Sequence, residues 1–123
     1  MELSHPEVCL DPLGPISLLQ RTLRVFPERT GVIHGNLRWS YARLGEEVGR
    51  LAGALRCAGI APGDRVAVLL PNTPIHLAAH FALPLLEAPL VSINTRLAPA
   101  EIAYILAHSG ARLLLVDPEL LPR

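Results

Sequence analysis

The chain has 123 residues, half of them hydrophobic and 18 % charged, with eleven basic residues balanced by eleven acidic ones. That length supports one domain at most. Zero formal net charge gives no electrostatic footprint for nucleic acid or an acidic membrane, and no apolar run is long enough to span a bilayer.

The first fifteen residues, with His5, Pro6, Pro12 and Pro15, read as an irregular leader without the basic and apolar regions of an export signal. Cys9 and Cys57 stand far apart without metal-ligand spacing and read as reduced thiols, so a cytoplasmic setting is expected. From Ile16 to Phe26, apolar residues at 16, 19, 23 and 26 form a helical stripe that Pro27 ends. Thr30–His34 and Leu37–Ser40 flank Gly35-Asn36, a two-residue hairpin turn of the primed class. Ser40 then caps a long helix with Tyr41, Leu44, Val48, Leu51, Ala52 and Leu55 on one face and Gly59 at its end. Gly45, Gly49 and Gly53 recur every fourth residue. This stripe is expected to pack closely on a sheet.

Val66–Leu70 is a short, unbroken apolar run, the pattern of a strand buried on both faces of a parallel sheet. Thr73 is placed to cap a helix from Pro74 to about Glu87. Pro84 cannot donate to the carbonyl of His80, so the helix should bend or end there. This helix is apolar nearly all round and should be covered on both sides. Leu90–Ile93 is a second strand, Pro99 to His108 a further helix closed by Gly110, and Leu113–Val116 a third strand. The predicted architecture is α/β: a mostly parallel βαβαβ sheet preceded by a helix and an antiparallel hairpin.

Open parallel sheets bind ligands beyond the carboxyl ends of their strands. Pro71-Asn72-Thr73 and Asn94-Thr95-Arg96 occupy such positions, with Arg96 and Arg65 as the nearest cations. The Arg96 guanidinium suits a phosphate or carboxylate; the plainer reading is a surface ion pair. Asn72 and Thr73 have a plain reading too, as a turn and a helix cap. His76 and His80 stand one helical turn apart, a spacing that can bind zinc. Leu77 replaces the Glu of the zinc-protease pattern, though, and no third ligand is near, so they read as polar residues on a solvent edge. His34 and His108 read as surface positions. Ser17, Ser40, Ser92 and Ser109 sit in no nucleophile elbow, and no glycine-rich phosphate loop is present. No catalytic residue and no metal site is predicted.

Three stretches carry a resemblance: ISLLQRTLRVFPERTGVIHGNLRWSYARL, RLAGALRCAGIAPGDRVAVLLPNTPIHLAAHFALP and LVSINTRLAPAEIAYILAHSGARLLLVD. In this order and spacing the chain resembles the N-terminal portion of the AMP-forming acyl-CoA synthetases, within the adenylate-forming ligase superfamily. The resemblance implies that residues 16–123 are an incomplete segment of the large N-terminal domain. It implies a two-step reaction in which ATP and Mg2+ convert a carboxylic, notably fatty, acid to an acyl-adenylate and coenzyme A then takes the acyl group. It makes Arg96 a contact for the phosphate of coenzyme A, and it makes the remainder of the ligase and the acid substrate the partners. The family's Ser/Thr/Gly-rich phosphate loop, its Tyr-Gly-x-Thr-Glu motif and its adenylation lysine belong downstream of the matched stretches, so this chain alone is expected to be inactive. An alternative is a non-catalytic binding module that retains the scaffold. An unrelated nucleotide-binding α/β module is a third reading, disfavoured because no phosphate loop follows any strand. Local departures are Arg43 in place of a capping-box Glu, Ala98 in place of a capping Ser or Thr, and Glu87-Ala88-Pro89 in place of a Gly-containing turn.

Overall fold

The computed structural model describes residues 13–121, so residues 1–12 of the expected leader lie outside the described residues. Pro15, the last leader residue, is already helical. Helix α1 (Pro15–Val25) leads to the hairpin strands β1 (Thr30–His34) and β2 (Leu37–Ser40) and then to α2 (Tyr41–Cys57). The remainder alternates as β3 (Val66–Leu69), α3 (Pro74–Leu85), β4 (Leu90–Ser92), α4 (Pro99–Ser109) and β5 (Leu113–Val116), followed by a 3-10 turn at Pro118–Leu120. β3 lies between β4 and β5, parallel to both. The hairpin pairs only with itself, as a separate two-stranded antiparallel sheet.

The capping residues act as their chemistry dictates. Ser40 Oγ accepts from the Arg43 N–H at 3.2 Å, and Thr73 Oγ1 from the His76 N–H at 3.4 Å. Ala98 has no side chain to offer, but Glu101 reaches back to its N–H at 2.8 Å, which keeps one half of a capping box. Arg43, where a box would place an acid, bonds Glu46 and Glu47 one turn on. In the hairpin, Gly35 alone of the two turn residues has positive φ, at 57°, as a primed turn with glycine in first position requires.

The sheet separates two apolar layers. Val66 and Val68 face one side, with Leu55, Ala79 and Leu83 of α2 and α3. Ala67 and Leu69 face the other, toward Ile102, Ile105 and Leu106 of α4. The helix α3 is held on two sides, because Ala79 and Leu83 meet the sheet while Ala78 and Ala82 join a second cluster with Leu19, Leu44 and Val48. Its remaining face leaves Ile75, Leu77 and Leu85 exposed. The α4 side is thinner: no residue of α4 is buried, and Tyr104 is 66 % exposed.

The glycine stripe of α2 differs from expectation. A Cβ on Gly45 would come within 2.8 Å of Leu23, so this glycine lets α1, not the sheet, approach the helix. At Gly49 and Gly53 a Cβ would meet nothing within 4 Å, and close packing does not explain them.

α3 ends two residues earlier than the predicted Glu87, with Pro84 in its last turn. The Glu87 N–H bonds the Pro84 carbonyl and the Ala88 N–H bonds the Leu83 carbonyl, both at 3.0 Å. This is the Schellman arrangement, which needs a left-handed residue just past the cap. Glu87 supplies it with φ of 54°, as the only non-glycine with positive φ among the described residues. Left-handed backbone costs a residue with a Cβ about 1–2 kcal/mol, and glycine's extra unfolded entropy returns part of that. Glu87→Gly is therefore expected to stabilise the chain by about 0.5–1 kcal/mol, read as a higher urea midpoint at unchanged m-value. An equal or lower midpoint would show that the Glu87 side chain contributes more than its backbone costs.

Candidate functional site

Strands β3 and β4 run parallel and in register, Val66 opposite Leu90 and Val68 opposite Ser92, so the loops that follow them emerge side by side. Together they form a groove of about 400 Å3 whose polar lining is Asn72, His76, Ser92, Asn94, Thr95 and Arg96. The structure thus brings together the two loops that the sequence singled out separately.

Arg96 is exposed at the rim of this groove, held at the backbone by a 3.0 Å bond from its N–H to Asn94 Oδ1. Its guanidinium makes no ion pair among the described residues, so the plain surface-pair reading has no partner there. Arg65 is elsewhere. It immediately precedes β3, at the amino end of the sheet, where its carbonyl accepts from the Arg112 N–H at 2.8 Å. Arg112 pairs with Asp64 at 3.0 Å at that same end. Expecting Arg65 near the site followed its closeness in sequence to the strand; strand direction places it opposite.

A second groove of about 470 Å3 opens between the hairpin and the start of α3, lined by Ile33, His34, Leu77 and His80 and sharing Asn72 and His76 with the first. His76, with Asn72, thus belongs to the wall common to both. Its Nε2 is shielded from solvent and has no hydrogen-bond partner among the described residues, which corrects its reading as a solvent-edge residue. His80 does stay exposed. Its Nδ1 lies 2.9 Å from the His76 carbonyl, and because a carbonyl only accepts, Nδ1 carries the proton. The two rings are tilted, with centroids 5.1 Å apart. Among the described residues no three His, Cys, Asp or Glu side chains gather to hold a metal.

His34 is exposed, as its place at a strand end predicts, and it lines the same groove as His76 and His80. Its signal was tertiary: the hairpin docks against α3 through Val32, which is buried with Ala78 and Ala82. Among the described residues, no Asp or Glu lines either groove.

A model described as AMP-binding enzyme matches residues 19–123. The chain belongs to the AMP-binding enzyme family. Among curated relatives, the peroxisomal trans-cinnamate:CoA ligase of Petunia hybrida is 41 % identical over 112 residues, 91 % of the chain and 20 % of that enzyme. The chain spans about a fifth of the length of the curated relatives it matches. A Mycobacterium tuberculosis fatty acyl CoA synthetase superposes with a TM-score of 0.82 and 32 % identity, over 86 % of this chain and 22 % of that one. The O-succinylbenzoate coenzyme A synthetase of Bacillus subtilis, solved in complex with AMP, gives 0.78 and 31 %, over 82 % and 26 %. The α/β architecture is that of the N-terminal domain of adenylate-forming ligases.

Proposed function

We propose that this chain is the N-terminal part of an ATP-dependent acid–thiol ligase that activates a carboxylic acid as its acyl-adenylate and transfers it to coenzyme A. The observation that supports this reading most is the family match across residues 19–123. The acid is a fatty acid or a similarly apolar carboxylic acid, a class supported by relatives named for fatty acyl and cinnamate substrates. A cytoplasmic setting belongs to the same proposal, although the Petunia relative carries a peroxisomal name. No helix among the described residues is long and apolar enough to cross a membrane.

The groups of the complete enzyme fit this chain unequally. A phosphate of coenzyme A fits at Arg96, which is exposed beside Asn94 and Thr95 and whose guanidinium has no ion-pair partner among the described residues. Arg96 would anchor that end of the cofactor, whose thiol supplies the nucleophile of the transfer step. Mg2+ does not fit, since hard cations take carboxylate oxygens and neither groove has one among the described residues. The triphosphate of ATP does not fit either, because no glycine-rich loop follows any described strand.

The test is Arg96→Ala in the complete ligase. The apparent KM for coenzyme A is expected to rise about tenfold, since one charge-assisted contact is worth roughly 1.5 kcal/mol, with adenylation unchanged. Equal losses in both half-reactions would make Arg96 a structural residue and overturn the assignment.

A further inference from the structure

We infer that Asn94 is a positioning residue for Arg96: its side-chain oxygen builds the turn that presents the guanidinium to a phosphate of coenzyme A. This rests on the reading of Arg96 given above and deepens it, because it names what holds that cation in place.

Residues 94–98 join the buried Ile93 to the start of α4, and both ends of this loop are pinned. The Ile93 N–H bonds the Val68 carbonyl at 2.9 Å, while Leu97 packs in the apolar layer with Ala67, Leu69 and Ile93. Between those anchors Asn94 supplies two acceptors. Its carbonyl takes the Leu97 N–H at 3.3 Å, closing a four-residue turn. Its Oδ1 takes the Arg96 N–H at 3.0 Å inside that turn. Asn at the first position of a turn forms this pair of bonds because its side chain mimics a backbone carbonyl two residues before the donor.

No acid does the same work. Among the described residues the Arg96 guanidinium makes no ion pair. Asp117 also stands at the carboxyl end of the sheet, but it follows β5, on the opposite flank of β3 from β4. Its carboxylate caps the 3-10 turn, accepting from the Glu119 N–H at 2.9 Å. The place of the cation is therefore set through its backbone, and within the turn Asn94 is the side chain that bonds that backbone. Without the Oδ1 acceptor the turn opens in part of the population, and coenzyme A binds only the fraction in which Arg96 is presented.

The test is a double-mutant cycle in the complete ligase. Asn94→Ala is expected to raise the apparent KM for coenzyme A about fivefold, the change in turn population that one lost hydrogen bond produces, with pyrophosphate exchange unchanged. Asn94→Ser, whose hydroxyl can accept the same N–H, should recover most of the loss. In an Arg96→Ala background Asn94→Ala should add nothing, since a residue that acts only through the guanidinium has no effect once that group is gone. One readout needs no variant: in the unmodified 123-residue chain the Arg96 amide should exchange with solvent several-fold more slowly than the Thr95 amide, which has no acceptor among the described residues. Independent losses from Asn94→Ala and Arg96→Ala, no recovery in Asn94→Ser, equal losses in both half-reactions or equal amide exchange would each overturn the inference and leave the Arg96 reading standing. So would an unchanged KM in Asn94→Ala beside a raised one in Arg96→Ala. If Arg96→Ala itself leaves the KM for coenzyme A unchanged, both readings fall.

Discussion

Purified alone, the 123-residue chain is expected to give no acid-dependent exchange of labelled pyrophosphate into ATP, with Mg2+ and short to long carboxylic acids supplied. Transfer at a phosphorus depends on a cradle for the phosphate oxygens and on positive charge where negative charge develops. The two grooves are lined by one guanidinium and three imidazoles, and among the described residues neither a glycine-rich loop nor a lining carboxylate is there to hold a triphosphate or a divalent cation. Orientation of the acid also needs a closed pocket, whereas both grooves at this end of the three-stranded sheet are open. Loss of both terms corresponds to many orders of magnitude in rate, so exchange should equal the acid-free control. Exchange clearly above that control would mean that the chain carries an adenylation site unlike the one its relatives imply.

The largest stability effect is expected at Leu83. It is the bulkiest of the fully buried side chains, seated between the sheet and α2 with Val66, Val68 and Leu55 around it. Leu83→Ala removes the transfer free energy of the lost atoms and leaves a cavity that three layers of backbone cannot easily close, a loss of about 3–4 kcal/mol. For a chain of this size that lowers Tm by roughly 10–20 °C. Leu85, two residues on and 46 % exposed, is the control, and Leu85→Ala should cost less than about 1 kcal/mol. Calorimetry on both variants checks the contrast; similar shifts would mean that α3 is not clamped as described.

Periodicity and punctuation made most of this fold legible. VAVL between turn residues could hardly be other than a doubly buried strand, and Ser40, Thr73, Gly59 and Gly110 bound their helices for local chemical reasons that hold in the structure. What failed was whatever depends on the neighbour. The spacing of Gly45, Gly49 and Gly53 is one pattern, but Leu23 lies over the first only. Arg65 is adjacent to the central strand in sequence and opposite the site in space. The site was half legible. Strand direction alone placed Asn72 and Arg96 together, whereas the approach of His34 required the hairpin to fold onto α3, which no local pattern encodes. Nor could spacing show that His76 turns its Nε2 away from water.

The position of β3 has a consequence for how the polypeptide is made. Both strands that flank it come later in the chain: its first residue, Val66, pairs with Leu90 and with Leu113. The most deeply buried strand among the described residues therefore leaves the ribosome before either of its hydrogen-bonding neighbours exists. At about 5–20 residues per second, it waits one to several seconds for the first and longer for the second. During that interval its amides have only water, α2 or a chaperone to turn to. Ribosome-stalled chains ending between β3 and β4 should be the species most readily captured by trigger-type holdases, and protease protection of Val66–Leu69 should first appear only after β5 has emerged.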